Sequence, residues 1–168
     1  DLCDNVSDLI QTISPDGKII WVNRKWQETL GYSESELQTI NFFDIIAPGC
    51  QQQCGESFKR LLAGEDVGVL DITFTAKDGK LVQTEGHINV RFESGKPVLS
   101  RGVFRDVTQQ HATQNQMRVY KDTLDATFDA ILMFKPETFR FIYANKSALN
   151  ITGYAMEELL ALTPFTLD

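Results

Sequence analysis

At 168 residues, with 42% hydrophobic side chains, the chain has the composition of one or two folded domains and not of a disordered segment. A formal charge of −7, from 16 basic and 23 acidic residues, argues against non-specific binding to nucleic acid or to an anionic membrane surface. No run of about 18 apolar residues is present, so no membrane span is expected. No signal peptide is visible and the first residue is Asp, which together suggest a cut from a longer, cytoplasmic protein. Three cysteines, Cys3, Cys50 and Cys54, make an odd count, and the Cys50/Cys54 pair lacks a second pair of Cys or His at zinc spacing. Reduced thiols are therefore expected, and no metal site.

In chain order, a short strand is expected near Leu9–Ile13 and a second over residues 18–22, joined by Pro15-Asp16-Gly17. Proline presets φ for a reverse turn and glycine accepts a positive φ, so the two strands read as a hairpin. Asn23 suits an N-cap, and Trp26 and Leu30 lie four apart on a helix that stops at Gly31. Ser33 followed by Glu36 is a capping-box pattern for the next short helix. The segment "INFFDIIAP" reads as a loop or helical turn closed by Pro48. A longer helix follows, with Phe58, Leu61 and Leu62 on one face and Gly64 as its stop. Three strands are then expected, over residues 67–75, 81–92 and 98–107. The first pair is joined by an Asp78-Gly79 hairpin turn, the second by a turn over residues 93–97. In the middle strand Val82, Thr84, Gly86, Ile88, Val90 and Phe92 alternate with polar residues. Two strands, short helices and a three-strand meander give an α+β layer: one five-stranded antiparallel sheet with helices on one face.

Residues 109–127 contain neither Pro nor Gly, and Met117, Tyr120, Leu124 and Phe128 recur at helical spacing. An amphipathic linker helix is expected there. The chain then repeats itself. Asn23, Gly31-Tyr32 and Leu37 reappear as Asn145, Gly153-Tyr154 and Leu159, each 122 residues later. That offset is too long for a solenoid, whose periods run about 20–50 residues. Residues 6–23 stand over 128–145 at the same spacing. The second copy stops at residue 168 without a meander and should be marginal by itself, so the natural chain is expected to continue.

These segments together resemble the PAS domains of sensory signalling proteins: "ISPDGKIIWVN" and its Asn23, "LGYSESEL", "TAKDGKLVQTEGHINV", and "RGVFRDVT" with its terminal Asp106-Val107-Thr108. The resemblance implies a PAS domain over 1–108, a linker helix over 109–127 and the front half of a second PAS domain over 128–168. Tandem PAS domains of this kind stand upstream of histidine kinases or diguanylate cyclases. The implied function is a cytoplasmic sensor that couples a ligand or partner signal, through the linker helix, to an output domain. The setting the resemblance implies is a histidine kinase of a two-component phosphorelay; a cyclase, or a ligand-free dimerisation and scaffolding module, is the alternative.

The resemblance also bears on cofactors. The flavin-binding branch carries a reactive Cys at the position matched here by Phe42, which has no thiol to offer, and the long helix supplies no His for haem. No chromophore is expected. His87 lies on the polar side of its strand with Gln83 and Glu85, and His111 opens the linker, so both read as ordinary histidines. No nucleophile–base set, phosphate loop or metal cluster is present, so no catalysis is expected of this fragment. Trp26, Phe42, Phe43, Phe58, Leu62, Phe74 and Ile88, with Ile45, Ile72 and Val90, form either a filled core or the wall of a cavity for an unidentified small ligand. Thr108 is placed to cap the linker helix by accepting from a backbone N–H two or three residues on. In the family reading, Asp106 exchanges hydrogen-bond partners there and couples sheet strain to the helix. A homodimer is expected, through the N-terminal residues or the linker helix, and no nucleic acid partner.

Overall fold

The computed structural model describes residues 7–167. Cys3 and the first N-terminal residues, where one route to a homodimer is expected, lie outside the described residues. The chain divides into two compact units, Asp1–Gln110 and His111–Asp168.

The first unit is an α+β fold around one antiparallel sheet. Strands β1 (Leu9–Ile13), β2 (Ile19–Val22), β3 (Leu70–Thr75), β4 (Leu81–Glu93) and β5 (Lys96–Asp106) lie in the order β2-β1-β5-β4-β3. Between β2 and β3 come helices α1 (Arg24–Leu30) and α2 (Glu34–Leu37), 3₁₀ turns at Phe42–Ile45 and Pro48–Cys50, and helix α3 (Gln51–Leu62). The five-stranded sheet and its helices match the fold expected from the sequence. Leu9, Ile13, Ile72, Phe74, Val82, Ile88 and Phe104 on the strands pack against Trp26, Leu30, Leu37, Phe58 and Leu61 on the helices in one buried cluster. The alternation on β4 survives as buried Val82, Thr84, Gly86 and Ile88, with exposed His87 between them.

Several boundaries differ from the sequence expectation. β2 starts at Ile19, and Lys18 makes only an isolated bridge to Asn41. β3 starts at Leu70 and not at residue 67, because Gly68 takes a left-handed φ of 67° and its N–H donates to the Asp66 carboxylate at 2.9 Å, breaking the extended run. The five-residue turn expected over 93–97 is a two-residue turn. Ser94 and Gly95 have φ of 51° and 77°, the primed geometry that suits strand twist. Pro97 consequently sits inside β5, opposite Phe92 and beside a register shift at Arg91/Phe92, a place where a missing N–H is tolerated.

Helix α4 (Thr108–Asp125) begins in the first unit and continues into the second; it starts one residue earlier and ends two earlier than expected. The second unit adds β6 (Leu132–Phe134), β7 (Phe141–Ala144), α5 (Lys146–Thr152) and α6 (Met156–Leu160), with β6 and β7 as a two-stranded sheet. Phe141, Ala144, Ala148 and Leu159 form its small core. The uniform offset of 122 is corrected by the strand pairing. Gln11 pairs with Val22 and Leu132 with Ala144, so the first strands are 121 apart and the second strands 122. The second turn is one residue longer. Asp8 and Ile10 are therefore matched by Asp129 and Ile131, not by residues 130 and 132.

Candidate functional site

Two features of the first unit bear on function: the aromatic interior and the point where the sheet becomes α4. The interior is built on a run of rings. Phe58 of α3 meets Phe43 at 5.4 Å, Phe43 meets Phe42 at 5.4 Å, Phe42 meets Phe74 of β3 at 5.9 Å, and Phe74 meets Phe104 of β5 at 5.6 Å. All four contacts are edge-to-face, at 70° to 85°, the arrangement that the ring quadrupole favours. The expected lining residues come together in this one cluster. Trp26, Phe42, Ile45, Phe58, Ile72, Phe74 and Ile88 are buried within it, and Phe43, Leu62 and Val90 are half-buried against it.

Phe104 and Gln11 were not among the expected residues, and both are central. A Cβ at Gly86 or at Gly102 would overlap the Phe104 ring, so the ring lies flat on the sheet where two glycines leave room. Gln11 faces the same interior between Leu9 and Ile13 and is 0% exposed. Its Oε1 accepts the Trp26 indole N–H at 2.9 Å, while its Nε2 finds no acceptor among the described residues. A polar residue at an inward position of an apolar strand was the available signal. Gly86 and Gly102, each two residues from a large inward side chain, were the signal for Phe104.

Local geometry fixes Trp26 beside Gln11. Asn23 is 1% exposed. Its Oδ1 accepts from the Trp26 and Ile10 amides, each at 3.0 Å, and its Nδ2 donates to the Asp8 carbonyl at 3.0 Å. One side chain thus caps α1 and pins it to β1. On the far side, Glu36 Oε2 accepts from the Ser33 amide at 2.9 Å, and Lys77 Nζ lies 2.8 Å from Glu36 Oε1. The Lys77 ammonium, with the Ser33 bonds, holds the Glu36 carboxyl down from 4.5 to about 2. Burial, with a smaller effect of Cys50, pushes the Cys54 thiol up to about 12, and both cysteines are free. Among the described residues no group of three or more His, Cys, Asp or Glu could hold a metal ion.

The exit from the sheet is differently wired from the expectation. The acceptor at the start of α4 is Asp106, whose Oδ1 takes the Thr108 amide at 2.9 Å. The Thr108 hydroxyl reaches across to β4 and accepts the Gln83 amide at 2.9 Å. The Gln83 carbonyl in turn accepts the Val107 amide at 2.9 Å, and Val107 is 3% exposed. Val107, which joins β5 to α4, and Thr108, the first residue of α4, are therefore held by one backbone position of β4. Gln83 acts through its main chain, so no side-chain pattern in the sequence marks it. Beside this junction an open groove is lined by Lys25, Lys80, Arg105, Asp106 and Thr108. Arg105 faces Asp8 there at 3.6 Å.

No helix among the described residues is long and apolar enough to cross a membrane. No curated protein matches the chain. Among solved structures, it is similar to the PAS domain of an HTR-like protein from Haloarcula marismortui, at 22% identity and a TM-score of 0.53, over 62% of this chain and 85% of that one. It is similar to a sensory box histidine kinase/response regulator from Burkholderia thailandensis E264, at 18% identity and a TM-score of 0.58, over 70% and 90%. It is similar also to a PAS domain from Colwellia psychrerythraea, at 22% identity and a TM-score of 0.57, over 64% and 92%. At these identities the likeness concerns the fold. The sequence model of the family described as "PAS domain" matches residues 7–109 and again 129–167, well over half of the chain. With a sheet, an aromatic interior and an outgoing helix arranged as described, and with that double match, the chain belongs to the PAS domain family.

Proposed function

We propose that this PAS module passes a signal from the interior of the first unit, through the β5–α4 junction, to an output domain of the same protein. The domain limits we propose are 1–108 for the sensor, 109–127 for the linker and 128–168 for the second PAS segment. The output we propose is a cytoplasmic histidine kinase of a two-component phosphorelay; a diguanylate cyclase is the alternative, and in neither case does the fragment itself catalyse a reaction. The interior residues Trp26, Phe42, Phe43, Phe58, Leu62, Phe74 and Ile88 would contact a small ligand, and Asp106 and Thr108 would carry the coupling.

The observation that supports this reading is the three-bond tie between Gln83, Val107, Thr108 and Asp106. A shift of β4 against β5 changes the bonds that start α4. Removing one such bond costs about 0.5–2 kcal/mol, which moves a two-state helix equilibrium about two- to thirty-fold. In the intact protein, Asp106→Ala and Thr108→Ala should change output activity by that order while the sensor unit stays folded. Unchanged output in both, with the unit folded, contradicts the coupling.

A homodimer through α4 is part of the proposal. Met117, Val119 and Tyr120 are 65%, 55% and 56% exposed, and no side chain of this helix is buried. Light scattering should give twice the monomer mass; a monomer at high concentration sinks this part.

A further inference from the structure

The inference here rests on the sensory reading and names the chemistry of what the interior would accept. Gln11 is 0% exposed, and its carbonyl oxygen is committed to the Trp26 indole, which fixes the amide orientation and turns Nε2 the other way. That Nε2 finds no acceptor among the described residues. A buried donor without an acceptor is costly, and proteins seldom leave one. Gln11 stands opposite Gly102 in the β1–β5 register, and Cβ positions of such a pair lie about 4.5–5.5 Å apart. The space a Gly102 Cβ would take is filled by the Phe104 ring, so that ring occupies the cross-strand position next to Gln11. The other glycine under the ring, Gly86, is the cross-strand partner of Phe104 itself.

Among the described residues the remaining buried polar side chains of this unit are Thr12, Asn23, Thr84 and Ser100, all neutral. Thr84 already donates to the Ile72 carbonyl at 2.8 Å. A charged ligand would meet no counter-charge there and would lose its hydration. We propose that Gln11 Nε2 is the donor for a small, uncharged, largely apolar ligand with one acceptor oxygen, such as a ketone, which enters by displacing the Phe104 ring from above Gly86 and Gly102. The ring is then also the reporter, since Phe104 stands on β5 two residues before Asp106.

Acetophenone and ethylbenzene share a ring and differ in a carbonyl, so they separate an acceptor requirement from mere apolar fit. Titrated into the chain, acetophenone should bind at least tenfold more tightly than ethylbenzene and shift the Gln11 side-chain amide resonances. Gln11→Met keeps the length and removes the donor, and should bring the two within about twofold. Phe104→Leu should tighten both. Equal binding of the two probes by the unaltered chain, or none by it and by Phe104→Leu, overturns the site and leaves Gln11 serving an internal water only. If Gln11→Met fails to fold, the two-probe comparison on the unaltered chain still decides. Loss of this site with a junction effect intact leaves the sensory reading standing; the reverse result removes that reading and not the site.

Discussion

Asn23 and Asn145 do the same work in the two units. Asn145 Oδ1 accepts from the Ile131 amide at 2.9 Å and the Ala148 amide at 3.0 Å, as Asn23 Oδ1 accepts from Ile10 and Trp26. Its Nδ2 donates to the Asp129 carbonyl at 2.9 Å, as that of Asn23 donates to Asp8. Both helices end on a glycine with left-handed φ, 78° at Gly31 and 73° at Gly153. What each cap positions is different. In the first unit it is Trp26, set into a cluster that also draws on β3, β4 and β5. In the second it is Ala148, in a cluster of four buried residues, while Phe128, Phe165 and Ile151 are 97%, 79% and 72% exposed. The hairpin-and-cap is thus a locally encoded piece. The aromatic interior, and with it any sensing, depends on the strands that only the first unit has among the described residues.

If that division is right, the largest effect should come from the interior. Phe74 is 0% exposed and touches both Phe42 and Phe104, so Phe74→Ala should cost the first unit about 3–5 kcal/mol. Thermal or denaturant unfolding should show it, with the amides of β7 and α5 keeping their protection. A loss of under about 1 kcal/mol would mean that the ring run is not what holds the sheet to the helices.

The shared lock should give a smaller and parallel effect in the two units. Replacing either Asn by Ala removes an N-cap, about 0.5–2 kcal/mol, and leaves a backbone N–H without its acceptor, that of buried Ile10 on β1 in the first unit, about 1–3 kcal/mol, and that of half-buried Ile131 in the second, at the lower end of that range. Hydrogen exchange should then rise at Ile10 and Trp26 in Asn23→Ala, and at Ile131 and Ala148 in Asn145→Ala. Unchanged exchange at either pair would break the equivalence.

The smallest effect concerns Glu36, which has no counterpart ion pair in the second unit among the described residues, since Glu158 only accepts from the Ala155 amide at 2.8 Å. The Glu36 carboxyl is held down from 4.5 to about 2 in the folded chain. A depressed folded value stabilises above the unfolded one and is lost as pH falls through the folded one. The melting temperature of the first unit should therefore drop between pH 4.5 and about 2, and Glu36→Gln should flatten that part of the profile. An identical profile in the variant would remove the ion pair from the account.

The sequence made much of this legible because the signals are short-range. Asn23 before an apolar helix, Ser33 with Glu36, Asp78-Gly79 and the alternation of β4 each encode structure within a few residues. The family resemblance rested on those pieces in order. What stayed hidden needed distant partners. Ser94-Gly95 as a two-residue turn follows from where Arg91 and Phe92 shift register against β5. The slip from 122 to 121 follows from hairpin pairing, which a gapless overlay of the two copies cannot see. The local sequence points to Thr108 as the cap, but its hydroxyl accepts from Gln83, 25 residues earlier, and Asp106 accepts the Thr108 amide at the head of α4.

The central claim, that β4 holds the start of α4 and can release it, is tested most directly by hydrogen exchange on Thr108→Ala. Exchange at Gln83 and through the first turn of α4 should rise several-fold, while β1, β5 and the Phe74 region keep the protection of the unaltered chain. Unchanged exchange at Gln83 and α4, or a uniform loss across the whole sheet, would contradict it.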